Sequence, residues 1–328
     1  MCDRKQLVVT TNMVIKKVDR LVADLRRNPA DVAHRSLIKL RLAGLRVTNR
    51  LSRRPVTGSG PVVVNLTSFG HRISLVHYAL ETIAAGRIRP HRLILWLDDA
   101  ATVAQPPATL RRLQKRGLLI QYCPDYGPHK KQYPYALTGP TLPLVAADDD
   151  VLYPREWLAE LLEASARHPF DVTGQRAHSI TVDGDHVAPY SQWVAAWGTA
   201  ASFRTLCTGV SGIYYPLGLL NALRAEGDAF LRVAPRADDL WVYSVALRHG
   251  IRSRQVGERQ AEYPAIPGSQ RGTLYRQNVI EGGNDAQFAA CVGEHERERL
   301  LRDDPRDSGL LPGVPPWQSA PMAERDRA

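Results

Sequence analysis

Residues 144–154 read LVAADDDVLYP: an apolar run, then Asp148, Asp149 and Asp150 in succession, then a short apolar pair before an aromatic residue and a proline. The run is too apolar for an ordinary surface strand and reads as a buried one. Three like charges where such a strand runs out repel one another, so something cationic has to balance them. Carboxylate oxygens suit Mg2+ and Mn2+, which are commonly held by one or two carboxylates together with substrate phosphates. Asp148 and Asp150, two apart, are therefore expected to hold a divalent ion, and the ion in turn a diphosphate. The plainer alternative is a solvated turn, the commonest home of acidic runs.

Working outward, the chain from Pro61 alternates apolar runs with helical patterns, the order of an α/β sheet. PVVVNLTSF, HRLILWLDD, GLLIQYC and LPLVAADDD read as four strands, with helices over 73–85, over 108–116 and from Lys131 to Leu137 between them. Each polar cluster falls at a strand's carboxyl end: Thr67 and Ser68, Asp98 and Asp99, Asp125, and the triplet. In open parallel sheets that edge is where ligands bind. Beyond Tyr153 come an amphipathic helix in REWLAELLEASARH and a strand and turn in DVTGQRAHSITV. A Trp-containing loop over 191–205, a glycine-punctuated strand TGVSGIYYP and a helix over 238–249 opened by Asp238 and Asp239 follow. Regular signals thin out after Arg254, and 305–328, rich in proline and charge, reads as a loose tail.

The net charge of +10 suggests a nucleic-acid binder until it is divided: residues 1–55 hold 14 of the 43 basic and 4 of the 33 acidic residues, leaving 29 of each sign beyond. A neutral main body without an RNA-binding motif argues against nucleic acid. Val14, Val18, Leu21, Val22 and Leu25 recur at helical spacing among Lys16, Lys17, Arg20, Arg26 and Arg27, a basic amphipathic helix, with a second expected over 32–45. Either it packs on its own domain or it docks on an anionic membrane surface. No apolar run is long enough to span a membrane and no signal-peptide core is visible, so a cytoplasmic protein is expected. Cys2, Cys123, Cys207 and Cys291 are far apart without a CxxC pair, which suggests neither a zinc site nor a disulfide framework.

LVAADDD after three strand–helix units resembles the DxD element of nucleotide-sugar-dependent glycosyltransferases of the GT-A fold. The ordered series VVVNLTSFGHR, LILWLDD, YGPHKKQYPYAL, TGVSGIYYP and ADDLWVYSVALRHG is similar to bacterial family-2-like enzymes that build envelope glycans. The resemblance spans roughly residues 61–256 and implies a basic helical extension (1–58) before a GT-A catalytic domain (59–256). In that domain a Rossmann-like nucleotide-sugar half (59–155) adjoins an acceptor half (156–256), and a C-terminal extension (257–328) follows. It implies metal on Asp148 and Asp150, with Asp149 assisting or facing the ribose, and Lys130 or Lys131 on the donor phosphates unless they merely start a helix. Thr67 and Ser68 fall to the base or ribose, Arg72 to the phosphate side, and Asp98 or Asp99 to the nucleoside, one of them a helix cap instead. Gly209, Ser211 and Gly212 allow close backbone approach to a ligand, while Trp193, Trp197 and Trp241 supply a sugar platform or simply core.

The general base falls to Asp239, with Asp238 as alternate and N-cap, because paired carboxylates raise one another's pKa. His178, His249 and His295 are isolated and lack zinc spacing. The implied activity is a metal-dependent, inverting, single transfer of a sugar from a nucleoside-diphosphate donor, UDP by default, to an envelope glycan or glycolipid. No clear QxxRW element is present; SQRGTLYRQN over 269–278 is a faint echo, which speaks against a processive polymerase. The competing readings are a retaining transferase, a nucleotidyl- or phosphotransferase, for which LTSFGHR is a poor phosphate loop, and a membrane-surface binding protein acting through its basic arm.

Overall fold

The computed structural model describes residues 29–270, 278 and 282–303. The helix expected over 14–25, the tail over 305–328 and most of the 269–278 segment lie outside the described residues. Two compact units form, one ending at Leu51 and the other starting at Ser52, so the boundary falls seven residues before the expected 58.

The described part of the first unit is one helix, α1 (Pro29–Leu51), which extends the expected 32–45 helix at both ends. Leu37, Leu40, Val47 and Leu51 are exposed along it, at the three-and-four spacing that gathers side chains on one stripe of a helix.

In the second unit the elements run β1 (Gly60–Thr67), α2 (His77–Ala84), β2 (Pro90–Leu97), α3 (Ala100–Ala104), α4 (Ala108–Gln114), β3 (Leu118–Tyr122), α5 (Tyr133–Leu137), β4 (Leu144–Ala146) and α6 (Trp157–Arg167). Short strands follow, β5 (Val172–Gly174), β6 (Ala177–Ser179), β7 (Val182–Asp183), β8 (His186–Val187), β9 (Val194–Ala195), β10 (Thr205–Cys207) and β11 (Ile213–Tyr215). The chain then runs through α7 (Leu217–Glu226), α8 (Phe230–Val233), α9 (Asp238–Arg248), β12 (Ser253–Gln255), α10 (Gly283–Cys291) and α11 (Glu294–Arg302).

Seven strands form one mixed sheet in the order β12-β5-β11-β4-β1-β2-β3. The four strands expected from Pro61 onward pair in parallel, and β11 is the antiparallel insertion between β4 and β5. Their apolar content follows from burial on both faces: Val62, Val63, Val64 and Leu66 of β1, Leu93 to Leu97 of β2 and Leu144 to Ala146 of β4 are all buried. Asn65 lies level with Ala146, and its carbonyl accepts the Ala147 N–H at 2.9 Å, so the chain leaves the sheet directly into the aspartates. A second sheet, β10-β6-β9, lies at the β12 edge, where β10 contacts β12 and the Ser202 N–H donates to the Ser253 carbonyl at 3.0 Å.

The described part of the 257–328 extension packs on the rest of the second unit. Val151 bridges to Ala265 and the Ile266 N–H donates to the Asp150 carbonyl at 2.7 Å, while α10 and α11 pack on α9. EHERERLLR offers only a narrow apolar face, so the helical period of α11 is faint in the sequence.

Candidate active site at the carboxyl edge of the sheet

The triplet meets two cations supplied by the chain. Arg72, in the short 3-10 turn Gly70–Ser74 after β1, contacts Asp150 and reaches Asp149 at 3.0 Å. Asp149 is buried, and its second oxygen accepts the Ser68 hydroxyl at 2.6 Å. Lys131 pairs with Asp148, whose other oxygen accepts the Ser211 N–H at 3.2 Å. Asp148 is further oriented by its own N–H, which donates to the Tyr153 hydroxyl at 2.6 Å. Asp150 also accepts Gln270 Nε2 at 3.1 Å. Burial and the neighbouring Asp148 nonetheless hold the Asp150 carboxyl up at about 6 against the pull of Arg72, and burial raises Asp149 as well.

Facing the triplet is the first turn of α9. Asp239 is pushed up to about 7, mainly by burial and by Asp238 beside it. The Leu240 N–H donates to it at 2.9 Å and the Gly209 N–H also donates, both favouring the charged form. These acids do not cap the helix: Ala237 occupies the N-cap without a side-chain bond, and Asp238 and Asp239 sit in the first turn, where the dipole favours negative charge. Asp238 meets Gln132 Nε2 at a long 3.4 Å.

Lys131 links the two clusters. Its ammonium is held charged by Asp148, Asp238 and Asp150 together and lowers Asp239 in turn. The turn that delivers it, Gly127–Lys131, is pinned by Asn65 Nδ2 donating to the Lys131 carbonyl at 3.0 Å and by His129 Nε2 donating to the Ala234 carbonyl at 2.7 Å.

Other expected residues land differently. Lys130 points away from the triplet and is buried between Asp98 and Asp125, so the pair YGPHKK splits, one lysine to each carboxylate group. Asp98 is thereby committed to Lys130, and Asp99 caps α3 by accepting the Ala101 N–H at 3.0 Å and the Thr102 hydroxyl at 2.5 Å. Thr67 donates to the Trp96 carbonyl at 3.0 Å. Asp149 meets Ser68 with one oxygen and Arg72 with the other, an anchoring role for the turn.

Trp193 and Trp241 are 1% and 4% exposed, so neither offers a ring face as a platform. Trp193 Nε1 donates to the Ala188 carbonyl at 2.8 Å and its ring meets the Phe288 edge. Trp197 is exposed, with the Arg259 guanidinium over its ring. Ser211, at φ 71, and Gly212, at φ 106, turn the backbone toward Asp148, and a Cβ on Gly212 would lie 2.8 Å from the Trp157 ring. Asn65, Tyr153 and Gln270 were not expected at the site; only the polar Asn65 inside an apolar strand carried a local signal.

The residues present suit a divalent cation. Arg72 and Gln270 both meet the same oxygen of Asp150, Oδ2, and among the described residues no side chain donates to its Oδ1. Among the described residues no set of three or more His, Cys, Asp or Glu side chains is arranged to hold a metal. Asp148 and Asp150 would therefore form a two-carboxylate site completed by substrate oxygens and water, the habit of Mg2+.

No family model matches the chain, and no curated protein matches it. Among solved structures it is similar to a mannosyltransferase from Pyrobaculum calidifontis in complex with GDP-Man and Mn2+, at 16% identity over 77% of this chain and 74% of that one, with a TM-score of 0.47. It is also similar to TarS 1–349 from S. aureus, at 16% identity over 73% and 69% with a TM-score of 0.46, and to the UDP complex of the same segment, at 15% identity over 73% and 69% with a TM-score of 0.43. Likeness at this level fixes neither fold family nor activity, and the chemistry of the site carries the functional reading.

Proposed function

We propose that the chain is a metal-dependent, inverting GT-A glycosyltransferase of the family-2-like kind. In this reading it moves one sugar, a hexose, from a nucleoside diphosphate, UDP by default, to a hydroxyl of an envelope glycan or glycolipid, at or near the cytoplasmic face of a membrane. The observation that carries the proposal is Lys131, whose ammonium is in electrostatic reach of both the aspartate triplet and the Asp238–Asp239 pair. A phosphate-handling cluster and a carboxylate tuned to about 7 thus share one cleft.

In this reading Asp239 accepts the proton of the acceptor hydroxyl as its oxygen bonds to the anomeric carbon from the face opposite the diphosphate, and the bond to the diphosphate breaks. The acceptor oxygen loses its proton to Asp239, and the electron pair of the broken bond leaves with the nucleoside diphosphate. Lys131 and Arg72 set positive charge beside that leaving group. Ser68 and Arg72 hold Asp149 and so fix the turn that presents Asp148 and Asp150. A divalent ion on Asp148 and Asp150 would supply Lewis-acid neutralisation of the two phosphates.

Calorimetric titration with UDP, GDP and dTDP, each with and without Mn2+, tests this. One nucleotide is expected to bind only with metal, and Asp150→Asn to weaken that binding by at least about tenfold, as loss of a charged ligand does. Absence of binding under every condition sinks the donor reading.

The exposed apolar residues of α1 favour a second role for the same chain, peripheral contact with an anionic membrane. Leu37, Leu40, Val47 and Leu51 share a stripe, and the helix also carries Arg35, Lys39, Arg41, Arg46 and Arg50, the composition of an interfacial helix. The full chain is expected to co-sediment with vesicles containing phosphatidylserine, less so at high salt and less as Leu40→Ser. Equal partition to phosphatidylcholine vesicles, or none to either, would rule it out.

A further inference from the structure

Arg176 is a cation of the acceptor side without a part in the proposed transfer. It lies one residue before β6, level with Thr208 one residue after β10, and the Thr208 N–H donates to its carbonyl at 3.0 Å. The next residue, Gly209, gives its N–H to Asp239. The Arg176 guanidinium acts electrostatically on the Tyr190 hydroxyl, which feels Asp239 as well, and on the His178 ring. Arg176 therefore stands in the wall next to the proposed base.

Arg72, Arg116, Arg248 and Arg254 each contact a carboxylate. Arg176 has no such partner among the described residues, and its Nε is buried without a hydrogen bond. Three more buried groups around it lack partners: Thr208 Oγ1, Asn284 Oδ1 and His178 Nδ1, on side chains 5%, 5% and 2% exposed. The Asn284 amide sits against the Tyr190 hydroxyl, and the Tyr190 N–H donates to Asp285 at 2.6 Å, which brings α10 into the same wall. Buried polar atoms are rarely left unmatched, and a cluster of them beside an unpaired arginine points to a ligand that supplies the partners.

The chemistry of that ligand follows from the donors. A half-buried guanidinium calls for an oxyanion, carboxylate or phosphate, which it can grip with two parallel N–H groups. Burial and Arg176 itself push His178 down to about 4, so the imidazole is neutral and Arg176 is the fixed positive charge of this wall. The Thr208 hydroxyl and the Asn284 carbonyl suit sugar hydroxyls.

We propose that this wall is the acceptor subsite and selects a sugar bearing an anionic group, which Arg176 binds while Thr208 and Asn284 hold neighbouring hydroxyls. The word acceptor rests on the glycosyltransferase reading; the preference for an anionic sugar does not.

Ligand-observed NMR titration of the full chain with methyl glucuronide, glucose 6-phosphate and methyl glucoside tests it without donor or turnover. One of the two anionic sugars is expected to bind at least about tenfold more tightly than the neutral one, the scale of a charge-assisted hydrogen bond, and the better of the two identifies the anion. Arg176→Gln is expected to erase the preference and Arg176→Lys to keep part of it, both with unchanged melting temperature. Equal binding of neutral and anionic sugars, no binding of either anion, or a preference that survives Arg176→Gln overturns the proposal. Nucleotide titration of the same samples separates the two readings: anionic-sugar binding without nucleotide binding rejects the donor site and keeps this one.

Discussion

Asp239→Asn is expected to bind nucleotide as the parent chain does and to transfer sugar about 10²–10⁴-fold more slowly, the contribution of one positioned base. The amide keeps an oxygen to accept the Leu240 and Gly209 N–H groups, so the helix start is preserved while proton uptake is lost. The pH profile gives an independent check. With Asp239 at about 7, kcat/KM of the parent should rise as pH increases through about 7, and that limb should vanish in the variant.

Stability should move in the opposite sense. The folded pKa lies above the ordinary carboxylate value of 3.8, so between those values the native state holds a proton that the unfolded chain releases. Parent stability therefore falls as pH rises from about 4 to about 7, and Asp239→Asn should melt higher than the parent at pH above about 7 and like it near pH 4. Asp238→Asn removes the like charge and should shift the activity limb to lower pH with most turnover kept. Full activity in Asp239→Asn together with an inactive Asp238→Asn would transfer the role to Asp238.

Lys131→Met should be the most damaging single change to the fold among the site residues. Its side chain is 16% exposed and its partner Asp148 is 13% exposed, and removing one member of a largely buried pair costs about 3–5 kcal/mol because the other charge is left uncompensated. The site context adds to this, since Asp238 and Asp150 lean on the same ammonium. Lys131 has its folded pKa raised, so its stabilisation is full below the ordinary lysine value of 10.5 and is lost only as pH rises through the higher folded value. The lysine's own titration adds no slope across neutral pH, but its removal raises Asp150 and Asp239 further, so the deficit should grow as pH rises through about 6 to 7. Denaturant unfolding of Lys131→Met, Asp148→Asn and the double variant measures the coupling, and the double variant is expected to recover part of the loss. Additive costs would show that Lys131 contributes packing alone.

Much of the parallel half of the sheet was legible because its strands are buried on both faces and are therefore continuously apolar. PVVVNLT, LILWL and LVA need no partner to be recognised, and their polar ends mark the ligand edge. DVTGQRAHSITV and TGVSGIYYP also read as strands and hold β5, β6 and β11, but three residues are too few for a period to fix their bounds, and the antiparallel placement of β11 between β4 and β5 is a matter of tertiary pairing. The division of labour between Lys130 and Lys131 was hidden for a related reason. Two adjacent lysines look equivalent in sequence, but in a tight turn their side chains diverge, one toward Asp98 and the other toward Asp148. Trp193 and Trp241 were candidates for a sugar platform, yet a large apolar ring gains most by full burial, and both took it.

The sequence by itself determined that a buried strand ends in three aspartates whose mutual repulsion requires nearby positive charge, and that a second acidic pair opens a later helix. Both conclusions rest on local composition and charge, which need no knowledge of distant partners. Only the tertiary structure decided which cations answer the triplet, Arg72 from the turn after β1 and Lys131 from the turn before α5. It also brought Asp239 and the unpaired Arg176 into one wall, through the pairing of β6 with β10 and the packing of α9 against it. Those contacts join residues separated by tens of positions, and Coulomb and hydrogen-bond energies depend on distance in space, which no spacing along the chain encodes.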